Sequence, residues 1–218
     1  MTDSKPNLLK LYGFVQSRSF RALWALEESG LPFEHINTTL RAGGDAENSA
    51  KHPNYLALNY QGKVPTLVDG EKVITESLAI VNYIARLAPE AGLMPSAIDD
   101  LARYDELASF VITELEQPLW NKGKHLFALP EEQRLPAMFD VASFEWDKAV
   151  RSLDALLDDS EYAICNRFTA IDIFLAHTFN WAQAFKFDVP DKYLALRDRH
   201  YARPAAQKAA ATAANDAS

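Results

Sequence analysis

A small α/β domain followed by an all-helical one is the fold class that the sequence predicts, with the division near residue 90. Three observations carry it. Strand-like and helix-like segments alternate over the first part of the chain in the order βαβα-ββα. The stretch "PEAGLMPSAIDD", with Pro89, Gly92 and Pro95, then breaks the pattern. Beyond it no segment reads as a strand, and long helical patterns follow.

The elements follow in order. "LLKLYGF" (8–14) is rich in strand formers and ends near Gly13. "SRSFRALWALEESG" sets Phe20, Leu23, Trp24 and Leu26 at helical spacing, with Gly30 as the stop and Pro32 beyond it. "FEHINTTL" (33–40) reads as a second strand. The polar stretch 40–54, with Gly43 and Gly44, reads as a loop, and "YLALN" (55–59) as a short helix. "VPTLVDGEKVITE" is a hairpin: strands at 64–68 and 72–75 flank a turn at Asp69-Gly70. The next helix is expected to bury Leu78, Val81, Ile84 and Ala85.

In the second half, 97–120 is a long helical pattern, with Pro118 near its end as a stop or kink. Another runs over 131–158, with Pro136 near its start. The clearest runs over 169–185, where Ile171, Phe174, Leu175, Thr178, Ala182 and Phe185 form a stripe. The Ala-rich end, 205–218, can form helix but has no large side chain to bury, so fraying is expected there.

Composition narrows the function classes. The chain has 218 residues, 48% hydrophobic and 24% charged, an ordinary mixture for a chain that buries a core. The net charge is −8 with no basic run, which argues against nucleic acid as a partner. The single cysteine, Cys165, excludes an internal disulfide framework and a CxxC redox centre. No apolar run reaches the roughly 18 residues of a membrane span. The start, "MTDSKPNLLKLYGF", lacks a basic segment followed by an apolar one, so it does not read as a secretory signal, and a cytoplasmic setting is expected.

Several residues have both a chemical and a structural reading. Pro65 cannot donate to a strand ladder, so it marks either an edge or a special turn. If the Val64-Pro65 bond is cis, the Val64 backbone faces outward, where an extended peptide can pair with it. Glu76-Ser77 stands where a helix begins. The first-turn N–H groups and the Ser77 hydroxyl suit a carboxylate, and Glu76 suits an ammonium. Together they fit a zwitterionic amino-acid end, and the same two residues equally serve as helix caps. Thr169-Ala-Ile-Asp172 is a capping box, with Phe168 and Ile173 as its staple, so Asp172 reads as structural. Cys165 reads as a buried, inert thiol. His35, His52, His125, His177 and His200 show no metal-ligand spacing, so no metal site is expected.

The strand, "KVPTLVDG", strand and "TESLAIVNYIA" series resembles the glutathione-binding half of cytosolic glutathione S-transferases. "YGFVQSRSFRALWALEESGLPFE" is similar to that family's first βα unit, "FTAIDIFLAH" to the buried helix start of its second domain, and "HYARPAAQKA" to its C-terminal helix. The resemblance spans the chain and points to the bacterial serine-type, theta- or nu-like members. It implies a thioredoxin-like glutathione-binding domain over 1–88, an all-helical domain lining an electrophile pocket over 96–204, and the tail 205–218.

It also implies the site. Val64 and Pro65 would pair with the cysteinyl backbone of glutathione, and Glu76 and Ser77 would hold its γ-glutamyl end. Lys51 matches a position that contacts the glycine carboxylate, Lys63 is a second candidate, and His52 is adjacent. For each, a solvated loop charge is the plain alternative. Ser17, four residues before Arg21, matches the hydroxyl that activates the thiol in serine-type members, with Ser19 as the alternate. Ser17 equally suits a helix N-cap, and Tyr12 reads as a strand residue. Phe14, Phe110 and Trp120 are candidates to line a pocket for an apolar cosubstrate.

"ALNYQGKVP" departs from the family's Asn-Pro-x-Gly by having Tyr60 in place of Pro, so the geometry ahead of Val64 stays open. The reading is a homodimeric detoxification enzyme that adds the glutathione thiolate to small electrophiles, with glutathione as cosubstrate and no other cofactor. The alternatives are a glutathione-dependent disulfide reductase or peroxidase, and a non-enzymatic interaction module of the same fold.

Overall fold

The computed structural model describes residues 8–157 and 160–216. Asp158, the expected end of one helical pattern, and the last two residues of the Ala-rich tail lie outside the described residues, as do residues 1–7. The chain divides into two compact units, one of residues 1–94 with 202–218 and one of residues 95–201.

The first unit is built on a four-stranded sheet of order β2-β1-β3-β4. Its elements are β1 (Leu9–Gly13), α1 (Ser19–Ser29), β2 (Phe33–Asn37), α2 (Pro53–Leu56), β3 (Thr66–Asp69), β4 (Lys72–Thr75) and α3 (Ser77–Leu87). β1 and β2 are parallel and are joined through α1, the kind of crossover that parallel pairing requires. β3 runs antiparallel to β1, and β4 to β3. Phe20, Leu23, Trp24 and Leu26 of α1 are all buried, as their spacing predicts. Gly30 ends α1 in the left-handed conformation (φ +68°), which costs glycine no Cβ clash.

In α3 the buried residues are Ser77, Ile80, Val81, Ile84 and Ala85. Leu78, expected in this set, is only half-buried, and Ile80 takes its place. The helix begins at Ser77, so its inward stripe runs 77, 80, 81, 84, 85, and Leu78 falls on the margin.

The second unit is helical. It comprises α4 (Ile98–Phe110), α5 (Gln117–Gly123), α6 (Met138–Leu156), α7 (Ala170–Ala184) and α8 (Asp191–Tyr201). α4 passes into α5 through a π turn, Val111–Leu115, and a second π turn, Lys124–Ala128, follows α5. Pro118 therefore opens α5 instead of stopping a helix, because the first-turn N–H it lacks has no helical partner in any case.

α7 is the centre of this unit. Ile171, Phe174, Leu175, Thr178 and Ala182 are buried, each large apolar side chain contributing about 1.5–3 kcal/mol by leaving water. Its start is held by Asp172, whose carboxylate accepts from the N–H groups of Thr169 (2.8 Å) and Ala163 (2.9 Å). α8 has no counterpart in the sequence reading. It places only Tyr193, Leu196 and His200 in the interior, too sparse a stripe to stand out among its charges.

The last helix, α9 (Pro204–Asp216), packs on α1 in the first unit. Arg203 grips the Glu28 carboxylate with Nε at 2.6 Å and Nη2 at 2.8 Å, and Lys208 pairs with Glu27. Small side chains suffice for this contact: Ala206 and Ala209 are fully buried.

Candidate active site

The register of the sheet gathers one end of every strand. Tyr12 of β1 lies opposite Thr66 of β3, Thr66 lies opposite Thr75 of β4, and Gly13 lies opposite Asn37 of β2. The β1–α1 turn, the chain ahead of β3, the start of α3 and the loop after β2 therefore leave the sheet at the same end. Ser17 and Ser19, Val64 and Pro65, Glu76 and Ser77, and Lys51 all belong to these segments.

In the β1–α1 turn Ser17 is half-buried and Ser19 is buried. Ser17 Oγ is 2.6 Å from the Phe14 carbonyl oxygen and 2.9 Å from Ser19 Oγ. It also accepts from the Ser19 N–H at 3.1 Å. Gly13 makes room for this turn: a Cβ there would lie 2.1 Å from Ser19 Oγ, and 3.8 Å from the Cβ of Val64. The absent side chain thus lets the serine turn sit against the end of β1, beside the segment that carries Val64. Tyr12 is a strand residue whose ring meets that of Tyr55 at 5.9 Å.

The Val64-Pro65 bond is cis. β3 begins after it, so Val64 lies outside the strand ladder, whose last pairing is Tyr12 with Thr66. A buried hydrogen-bond network fixes the segment ahead of it. Tyr55 donates to the Lys63 carbonyl (2.5 Å). Asn59 gives one amide hydrogen to the same carbonyl (2.9 Å) and the other to the Thr66 hydroxyl (3.1 Å). The Thr66 hydroxyl, 2.9 Å from the Tyr55 oxygen, then donates to it, so each proton has one acceptor.

Burial pushes the Tyr55 phenol above its ordinary range, partly offset by its hydrogen bonds to Thr66 and Asn59. Gly62 completes the turn at φ +59°. Tyr60 is 86% exposed, so the position where proline is common in the family needs no ring packing here. This network answers the question left open by that departure: Asn59, Tyr55 and Thr66 set the geometry.

Glu76 has φ +67° and ψ +121°, a region that a residue with a Cβ occupies only when its surroundings hold it there. It is the N-cap of α3 by position, yet its own side chain makes no capping hydrogen bond to the helix. The first-turn N–H groups of α3, which no helix can satisfy internally, stand beside the exposed Glu76 carboxylate and the buried Ser77. Lys51 and Lys63 are exposed. His52 serves the local backbone instead, since as N-cap of α2 its Nδ1 accepts from the Asn54 N–H at 3.3 Å.

Phe14 belongs to the β1–α1 turn itself, where its carbonyl oxygen lies 2.6 Å from Ser17 Oγ, and it is half-buried. Phe110 and Trp120 belong to the helical unit. Phe110 lines a groove of about 170 Å³ with Thr113, Gln117, Glu145 and Lys148, and Trp120 is not among its walls. Cys165 is half-exposed rather than buried, and both it and Asn166 have positive φ. Partial burial, followed by the Asp100 charge, raises its thiol pKa. Among the described residues no group of three or more His, Cys, Asp or Glu is placed to hold a metal ion. Sequence reasoning missed Tyr55, Asn59 and Thr66. Their only sequence signal is the spacing of polar residues around the Val64-Pro65 turn.

A thioredoxin-like sheet with a cis-proline loop, followed by a helical unit, is the two-domain architecture of the glutathione S-transferase fold. Residues 8–86 match the glutathione S-transferase N-terminal domain. Glutathione S-transferase 1 of Dianthus caryophyllus is 31% identical over 179 residues, which span 81% of this chain and 78% of that protein. Among solved structures, a glutathione transferase of Methylococcus capsulatus superposes with a TM-score of 0.80 at 27% identity, covering 95% of this chain and 99% of that one. The theta class glutathione S-transferase of Xanthomonas axonopodis pv. citri, with glutathione bound, gives a TM-score of 0.75 at 28% identity over 94% and 97% of the two chains. The chain belongs to the glutathione S-transferase family, and it is an enzyme of the transferase class.

Proposed function

We propose that this enzyme joins the glutathione thiolate to small, partly apolar electrophiles, as a serine-type member of its family. The observation that carries the reading is Glu76, held at positive φ at a helix start that its own side chain does not cap. A carboxylate on the α3 N–H groups and the Ser77 hydroxyl, with an ammonium on Glu76, places both charges of a γ-glutamyl end where the local field favours them. The Val64 backbone, outside the ladder, is available to an extended cysteinyl segment. Lys51 or Lys63 then meets the glycine carboxylate. Glutathione acts as cosubstrate.

Ser17 is the group assigned to the sulfur. A free thiol near pKa 8.5 is mostly protonated at pH 7. A hydroxyl that donates to the thiolate, close to the start of α1, favours the anion; the thiol proton leaves to water, and the sulfur lone pair forms the bond to the electrophile, whose leaving group departs with its bonding pair or whose double bond takes up that pair and then a proton from water. Holding the two reactants together supplies the remaining advantage through proximity. A two-fold homodimer of the 24.4-kDa chain, readable by sedimentation, and a cytoplasmic setting belong to the same reading.

The test is the rate of conjugation across a panel of electrophiles as a function of pH. Ser17→Ala is expected to slow the reaction about tenfold or more near pH 7, since each unit of thiol pKa is a factor of ten in thiolate. The deficit shrinks above about pH 9, where the thiol ionises unaided. A deficit independent of pH, or none at all, contradicts the assignment.

A further inference from the structure

One peptide group ahead of the cis-proline is held unusually firmly. The Lys63 carbonyl oxygen accepts from the Tyr55 hydroxyl at 2.5 Å and from the Asn59 side-chain amide at 2.9 Å. A carbonyl oxygen has two lone pairs, so this one is fully used. Both donors are interior side chains: Tyr55 is 5% exposed and Asn59 3%. Each is tied again to the Thr66 hydroxyl, at 2.9 and 3.1 Å. Thr66 is itself set by the sheet, opposite Tyr12 and Thr75. The Lys63 oxygen is therefore pinned by two side chains to a frame that the sheet holds.

The direction of the next donor follows from planarity. The cis bond is the one after Val64, and the Lys63–Val64 peptide is trans. In a trans peptide the C=O and the N–H are antiparallel, so fixing one fixes the other. The Lys63 oxygen points at Tyr55 and Asn59, and the Val64 N–H therefore points away from them. Val64 lies outside the ladder, and among the described residues its N–H has no acceptor. Backbone N–H groups shut away from water almost always have one, so this group faces the open side of the turn. Val64 is half-buried there. Its Cβ is 3.8 Å from the place that a Cβ on Gly13 would take, beside the serine turn.

We propose that Tyr55 and Asn59 are positioning residues of the glutathione site: by holding the Lys63 carbonyl in the interior they aim the Val64 N–H outward, as the donor to the cysteinyl carbonyl of glutathione. This rests on the glutathione reading above and deepens it, because it names the side chains that present the backbone. Both act through the peptide group and lie behind it. Their two bonds divide the task. Either alone lets the carbonyl swing about a single partner, and the two together define its direction. The donor is thus oriented before the tripeptide arrives, and binding need not order this turn. Ser17 is assigned to the sulfur and Glu76 to the γ-glutamyl end; Tyr55 and Asn59 serve the extended middle of the ligand.

The experiment reads amide hydrogen exchange at Val64 by NMR on the isotope-labelled chain, with and without saturating glutathione, and measures glutathione affinity by calorimetry. It uses the native chain, Tyr55→Phe and Asn59→Ala. In the native chain the Val64 amide is expected to exchange freely without ligand and about tenfold more slowly, or slower still, in the complex, as a new hydrogen bond requires. Tyr55→Phe is expected to weaken glutathione binding about three- to tenfold, the range of one ordinary hydrogen bond, and to lose most of the slowing at Val64 in its saturated complex. Asn59→Ala is expected to do the same. A merely structural role would lower the urea midpoint and leave affinity and the Val64 slowing as they are in the native chain. The inference is overturned if the native chain binds glutathione with no slowing at Val64, or if Tyr55→Phe keeps either the native affinity or the native slowing. Should Asn59→Ala fail to fold, Tyr55→Phe, which removes one oxygen, and the native chain still decide. If the native chain binds no glutathione, the reading of the site fails and this inference falls with it. Binding without slowing at Val64 leaves that reading standing and removes only this one.

Discussion

Glu76 combines two demands on one residue, a carboxylate for chemistry and a backbone at φ +67° that glycine would meet more cheaply. The conformation costs on the order of 1–3 kcal/mol. Two substitutions separate the demands. Glu76→Ala and Glu76→Gly both lose the carboxylate, so both are expected to weaken glutathione binding by about 1–3 kcal/mol, the usual loss for a hydrogen bond to a charged group. They differ in the backbone: in urea unfolding Glu76→Gly is expected to be more stable than Glu76→Ala by about 1 kcal/mol. Equal stability, or unchanged affinity in either folded variant, contradicts the assignment. The Glu76-Ser77 pair was legible in the sequence as a charge and a hydroxyl at a helix start. Its strain was not, because nothing in a glutamate announces positive φ, whereas Gly30 did announce the end of α1. The serine pair was legible only as two hydroxyls in one turn. Their order, Ser17 outward and Ser19 behind it, depends on the space left by Gly13, which only the folded turn reveals.

The segment ahead of β3 shows how an element is held when its own residues form no regular structure. Tyr55, Asn59 and Thr66 satisfy one another and the Lys63 carbonyl in the interior, so the backbone at Val64 is fixed without a ladder. Tyr55→Phe is expected to lower stability by about 1 kcal/mol, because Asn59 still serves both remaining acceptors. The pH dependence has a definite sign. The folded-state pKa of Tyr55 is raised, so its contribution is complete below the unfolded value, about 10, and is lost as pH rises from there through the folded value. The stability gap between the native chain and Tyr55→Phe therefore narrows above about pH 10, as read from urea midpoints; a gap that widens with pH overturns this account. At this scale much was legible. The hairpin follows its Asp69-Gly70 turn, and the capping box of α7 sits where Thr169 and Asp172 place it. Pro118 was legible as a stop or kink, and it opens α5 directly after the π turn and the bend at Glu116 that interrupt the helical pattern. α8 stayed hidden because its three inward residues are spread over eleven positions among charged and polar ones.

At the scale of the molecule, the split between a strand-bearing half and a helical one was visible in the loss of period-two patterns after "PEAGLMPSAIDD". The return of the chain to the first unit was not. α9 offers no large apolar side chain to mark a buried face; its docking on α1 depends on Ala206 and Ala209 and on the ion pairs of Arg203 and Lys208 with Glu28 and Glu27. What unites the candidate site is the sheet register, which brings the serine turn, the cis-proline loop and the α3 start to one end of four strands. The central claim is that glutathione binds there and loses its thiol proton. Calorimetric titration with glutathione at pH 7, in buffers of different ionisation enthalpy, measures both events at once. The expected result is saturable binding with the release of most of a proton per glutathione bound, because a thiol near pKa 8.5 arrives mostly protonated. Ser17→Ala is expected to bind with similar affinity and release far less. The absence of saturable binding, or binding by the native chain with no proton release, would contradict the account.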